Sequence, residues 1–130
     1  MRTTFAVIVG LGLLVVGVPV RAHHSFAAEF DSNKPIKLTG TVTKVEWANP
    51  HVWFYIDVKD DAGNVTNWAM EMGGPNGLLR AGWTRTSMKP GEVVTVDGFL
   101  ARNGKPMGNA TAVMLASTGQ RLFAASSQGQ

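Results

Sequence analysis

Three histidines are the residues in this chain best suited to chemistry: His23 and His24 side by side, and His51 within Asn49-Pro50-His51-Val52-Trp53. Neutral imidazole is a common metal ligand that accepts copper and zinc alike. If the chain is cut before His23, that residue gains a free α-amine, and amine plus ring Nδ1 form a chelate suited to Cu(II). A third nitrogen from His24 or His51 would complete a three-nitrogen site, and amine and imidazole both have neutral forms near neutral pH. A plainer account stands beside this one. Two histidines at a terminus can be no more than a polar end, adjacent residues of an extended chain point to opposite sides, and His51 can cap a strand or bond a loop carbonyl.

Trp53 and Tyr55 lie opposite the apolar positions of their segment, where aromatic rings can stack on a sugar, a base or a peptide. Coverage by Phe26 or Phe30 from the preceding segment would explain them equally well. Glu71, one of nine carboxylates, falls opposite Met70 and Met72; it can back a histidine or, as the simpler expectation, sit on a solvated face. Met70 and Met72 share the apolar phase of Trp68 and are expected in the core. Asp60 and Asp61 belong to a turn. Asn64-Val65-Thr66 and Asn109-Ala110-Thr111 match the glycosylation pattern at the frequency chance allows. No Gly-x-Ser-x-Gly, Ser-x-x-Lys, His-Glu-x-x-His or phosphate-loop pattern occurs, so nothing points to a catalytic centre.

The elements that must position these residues begin after a leader. Arg2, the apolar run Phe5 to Val20 and the small-residue end Val20-Arg21-Ala22 have the layout of a secretory signal peptide, with cleavage expected after Ala22. The run is broken by Gly10, Gly12, Gly17 and Pro19 and is shorter than the about 20 apolar residues of a membrane span. The chain is therefore expected in the periplasm with no stable anchor. Losing Arg2 and Arg21 takes Lys plus Arg from 12 to 10 against 9 acidic residues, a mature net charge of +1. The whole-chain pI of 9.6 thus overstates its basic character, and no nucleic-acid footprint is expected. The absence of cysteine excludes disulfides, thiolate metal sites and covalent haem attachment.

Residues 23–35 form an N-terminal arm anchored by Phe26 and Phe30, followed by one domain over 36–123 and a flexible tail over 124–130. Ile36 to Val42 alternates as a half-buried strand, and the phase slips at Thr43-Lys44, which predicts a β-bulge. Val52, Phe54, Ile56 and Val58 give a second strand, and Asp60 to Asn64 a turn into a third, Val65 to Met72. A short helix over Asn76 to Ala81 should bury Leu78 and Leu79 before Gly82. Val93 to Ala101, with Gly98 at a kink, and Asn109 to Leu115 are the fourth and fifth strands; Arg121-Leu122-Phe123 can add an edge strand. Three strands, a helix and two strands are the order of a small all-β, five-stranded oligonucleotide/oligosaccharide-binding (OB) barrel, with a sandwich as the alternative.

The strings His23-His24-Ser25-Phe26-Ala27-Ala28-Glu29-Phe30-Asp31, Gly40-Thr41-Val42-Thr43-Lys44-Val45-Glu46-Trp47, Asn49-Pro50-His51-Val52-Trp53 and Pro75-Asn76-Gly77-Leu78-Leu79 resemble a family of small exported bacterial proteins catalogued as a domain of unknown function. The resemblance runs on through Asn67-Trp68, Gly82-Trp83 and Lys89-Pro90-Gly91, nearly the whole mature chain. It implies a periplasmic, single-domain protein and transfers no activity. The residues themselves favour a non-enzymatic binding module with a copper or zinc site from His23, His24 and His51 and a contact surface from Trp53, Tyr55 and Glu71. The alternative is an accessory domain that recognises a periplasmic protein, a glycan or another small ligand through the aromatic face without metal. A copper-dependent oxidative enzyme would need, besides a terminal histidine, an open coordination position.

Overall fold

The computed structural model describes residues 26–125. The expected signal peptide, residues 1–22, lies outside them, as do His23, His24 and residues 126–130 of the expected tail. Two elements open the described chain, a single helical turn α1 (Phe26–Glu29) and a long strand β1 (Phe30–Glu46). β2 (Trp53–Lys59) and β3 (Val65–Glu71) follow as a hairpin, then α2 (Pro75–Arg80), β4 (Val93–Ala101), β5 (Met107–Leu115) and β6 (Arg121–Phe123). Among the described residues no helix is long and apolar enough to cross a membrane.

Alternation decides the hairpin: Phe54 and Ile56 are fully buried while Trp53, Tyr55 and Asp57 take the other face, as period-two side chains must. The turn is fixed by Asp60, whose Oδ1 accepts the Asn64 amide at 2.8 Å, and by Gly63 at φ 87°. The slip at Thr43-Lys44 is a bulge, since the β1–β2 register shifts between Val42 and Lys44. That extra residue lets one strand of 17 residues bend, pairing with β2 along its second half and with β4 along its first.

The sheet runs β3-β2-β1-β4-β5-β6, antiparallel except that β3 also pairs with β5 in parallel. This last pairing joins β1 to β5 into a ring, with β6 as an added edge on β5. The result is an all-β, mostly antiparallel fold of six strands rather than five, with one short helix between β3 and β4 as expected. Val42, Phe54, Ile56, Met70, Leu78, Val94, Val96 and Val113 meet in the core. Trp83 joins them, its indole N–H donating to the Phe123 carbonyl at 2.9 Å, so the ring's partner is satisfied on burial.

Four expectations need correction. The arm of residues 23–35 is not separate from the first strand: from Phe30 onward it belongs to β1, because Phe30 pairs with Ala101 and buries its ring. A single face of the short α2 meets the core, so Leu78 is buried while Leu79 is 52% exposed. β5 begins at Met107 rather than Asn109, because the parallel pairing with β3 recruits Met107 and Gly108. Ala124, assigned to the tail, is buried; its N–H donates to Thr111 and its carbonyl accepts from Gly73.

Gly98 sits where the β4–β5 register shifts. A Cβ there would run into the Asn109 carbonyl, whose carbon it would meet at 3.0 Å. Gly98→Ala is therefore expected to cost on the order of 3 kcal/mol in a denaturant titration, against about 1 kcal/mol for Gly63→Ala, where there is open space and only the positive φ resists. Equal costs would show that the close β4–β5 approach does not constrain the barrel.

Candidate functional site

Register brings three distant residues together. Trp53 is the cross-strand partner of Glu71 in the β2–β3 hairpin, and Glu71 is the partner of Asn109 in the β3–β5 pair. His51 lies two residues ahead of Trp53, where backbone bonds between Val52 and both Met72 and Gly73 prolong the ladder. The Glu71 carboxylate is thereby buried, its side chain 5% exposed, with His51 Nδ1 3.6 Å from Oε1. Asn109 donates through Nδ2 to the same oxygen at 3.2 Å.

The expectation of a solvated Glu71 is overturned by that burial, and the physical reason is the ring closure that seats Asn109 beside it. A carboxylate out of water must be met by donors or an opposite charge. The amide of Asn109 supplies one, and His51 faces it at an ion-pair separation longer than a hydrogen bond. With Nδ1 turned toward Glu71, the His51 ring offers Nε2 on its far side, and its side chain is 32% exposed. Among the described residues no three His, Asp or Glu side chains converge on a metal-sized site.

Beside this cluster lies an open depression of about 540 Å³, lined by Trp53, Met107, Arg102, Asn103, Ala28 and Glu29. α1 forms one wall. Arg102 holds it there: its Nε donates to the Ala27 carbonyl at 2.9 Å, its backbone N–H donates to Glu29, and its guanidinium lies 3.7 Å from Asp31. Phe26 packs on Phe30 and edge-on against Phe99, at 5.7 and 5.8 Å between centroids. The arm's aromatic anchor thus rests on β4.

Trp53 and Tyr55 share a face but not an environment. Trp53 lines the depression, whereas the Tyr55 hydroxyl donates to Glu46 Oε2 at 3.2 Å and its ring lies under the Lys44 ammonium at 5.5 Å. Lys44 in turn pairs with Glu46. That pairing raises the lysine above its ordinary value and lowers the glutamate below its own, the mutual hydrogen bond being the main cause in each. Sequence reasoning misses Asn109 and Arg102, and Met107, one of the thioethers assigned to core packing, instead lines the depression. An asparagine inside the apolar run Gly108 to Leu115 was the one signal available for the first.

The all-β ring with its short helix defines an OB-like protein. Among solved structures, the mitochondrial single-stranded DNA binding protein Rim1 of S. cerevisiae superposes with a TM-score of 0.50 at 9% identity, covering 64% of this chain and 93% of that one; at this identity the likeness is one of fold. No curated protein matches the chain. The chain belongs to a family of unknown function, DUF6152, whose model matches residues 11–111, in keeping with the expectation of a family of unknown function.

Tyr55 is the single tyrosine, so its ionisation can be followed alone by phenolate absorbance. Partial burial, and then the neighbouring Glu46 charge, push its pKa above the usual 10.0. The folded protein should titrate at higher pH than the unfolded chain. Glu46→Gln, which removes the charge opposing phenolate and leaves Lys44 in place, should bring the midpoint down. A midpoint unmoved by that substitution would sever Tyr55 from Glu46.

Proposed function

We propose that this chain is an exported, non-enzymatic binding module of the bacterial periplasm whose site is a copper or zinc centre held by His51 with His23 and His24. The observation that carries this is the contact of His51 Nδ1 with the buried Glu71 carboxylate, 3.6 Å away. A carboxylate behind a histidine fixes the ring and strengthens its other nitrogen as a ligand, the arrangement common behind metal-binding histidines. Here Asn109 holds the carboxylate in turn.

Chain reach supports the remaining ligands. Phe26 packs on Phe99, Phe99 is the cross-strand partner of Asn109, and Asn109 bonds Glu71. His23 precedes Phe26 by three peptide steps, at most roughly 10 Å of chain, and the proposed centre requires His23 and His24 to use that length toward His51. Cleavage after Ala22 would add the His23 amine, giving a nitrogen-rich set that suits Cu(II) first and zinc second. DNA recognition, the property named for the yeast protein, forms no part of the proposal. The surroundings of Trp53 carry Glu29 and Glu71, and Arg102 is already engaged.

Calorimetric titration of copper and zinc into protein beginning at His23 tests this. Submicromolar binding is expected, lost when one alanine precedes His23 and lost again in His51→Ala. Glu71→Gln, which touches no metal, should weaken it about 10- to 100-fold. Binding that is absent, or indifferent to both the added alanine and His51→Ala, would rule the metal centre out.

A further inference from the structure

We infer that the depression beside Trp53 is a binding site for a neutral saccharide, with the Trp53 indole as the platform on which a sugar ring stacks. This rests on the depression's own lining and is independent of any metal at His51.

Size, shape and chemistry each narrow the ligand. A volume of about 540 Å³ falls within the roughly 300–1,000 Å³ of small-molecule sites. Its apolar part is one indole with the Met107 thioether beside it, and its polar part consists of Arg102, Asn103 and Glu29, three planar groups on opposite sides of the donor and acceptor count. A pyranose ring matches that division: an apolar C–H face to lie on an aromatic ring, and hydroxyls around its rim that donate and accept in pairs. β-Linked hexoses, with their hydroxyls equatorial, present the flattest such face.

Other ligand classes fit less well. An anionic ligand would meet Glu29 and, directly across the hairpin from Trp53, the buried Glu71. The charge of Arg102, the cation of the lining, is already faced by Asp31 at 3.7 Å, while its exposed N–H groups can still donate to neutral hydroxyls. An extended peptide binding by strand addition needs a free backbone edge, but β2 is paired on both sides by β1 and β3, and Met107 of β5 pairs with Ala69. A greasy ligand would leave the two charged side chains facing it without water.

Asn103 gives a clean handle on the polar rim. Its Oδ1 accepts the Lys105 amide at 3.0 Å and so holds the turn, while its Nδ2 is the group that can donate to a ligand. Asn103→Asp keeps the acceptor that holds the turn and replaces the donor by a charged acceptor oxygen.

The test is an NMR titration of the purified protein with tetra-N-acetylchitotetraose and with cellotetraose, read on the tryptophan indole signals, with oligothymidylate as the competing probe. The indole of Trp53 should shift with at least one of the sugars. The signals of the other three tryptophans report that each variant is folded. Affinity should fall about tenfold or more in Trp53→Ala, as for other lost stacking platforms, less in Trp53→Phe, which keeps a ring, and about fivefold in Asn103→Asp, the usual worth of one hydrogen bond. A Trp53 signal unmoved by either sugar at millimolar concentration, sugar binding that survives in folded Trp53→Ala, or a shift with oligothymidylate alone would overturn the assignment.

Discussion

Three residue pairs between β3 and β5 organise this molecule: Ala69 with Met107, Met70 with Gly108, and Glu71 with Asn109. Among the described residues they are the only parallel pairs in a sheet otherwise antiparallel, and they turn an open meander into a ring. Without them Glu71 would be an outward-facing residue at the end of an exposed strand. With them it is enclosed, and its charge has to be answered within the protein. The closeness of the contact shows at Gly108, where an added Cβ would meet the ends of Ile36 and Met70 at 2.8 and 2.9 Å.

Enclosing a carboxylate is costly in any fold, since a buried charge loses its hydration and recovers only part of it from neighbours. Replacing Glu71 and Asn109 by well-packed apolar residues would serve the barrel at least as well. Here the carboxylate is kept, with Asn109 donating to it and the partly exposed His51 turned toward it. The same face divides its aromatics accordingly: Tyr55 is held by Lys44 and Glu46, while Trp53 borders open space.

Local pattern carried much of the fold. The strict alternation of Val52 to Val58 and the phase slip at Thr43-Lys44 located β2 and the bulge, and Val93 to Ala101 matched β4 end for end. The failures share one cause. Asp31-Ser32-Asn33-Lys34 is a polar run without alternation, so nothing local marks it as strand, and it is carried in β1 by the β4 pairs on either side of it, Phe30 with Ala101 and Pro35 with Phe99. Glu71 and Asn109 are 38 residues apart, and their meeting depends on which strands close the ring. His51 and Trp53 stand out by residue type and Glu71, among nine carboxylates, by its phase opposite Met70 and Met72, but the burial of Glu71 and its approach to His51 follow only from the topology.

One contact just past the end of β3 bears on how the fold is completed. Gly73 is pressed against the backbone of Ala125 and donates its amide to Ala124, so the segment after β6 lies over the loop that leads into α2. Contacts spanning this much sequence form slowly, because the chain must lose so much freedom before they repay it. The chain emerges from its N-terminus, so this cover can be laid over the loop only once residues 124 and 125 have emerged. Until then the backbone at Gly73 lacks its last partner, which makes this seam one of the late steps in completing the fold.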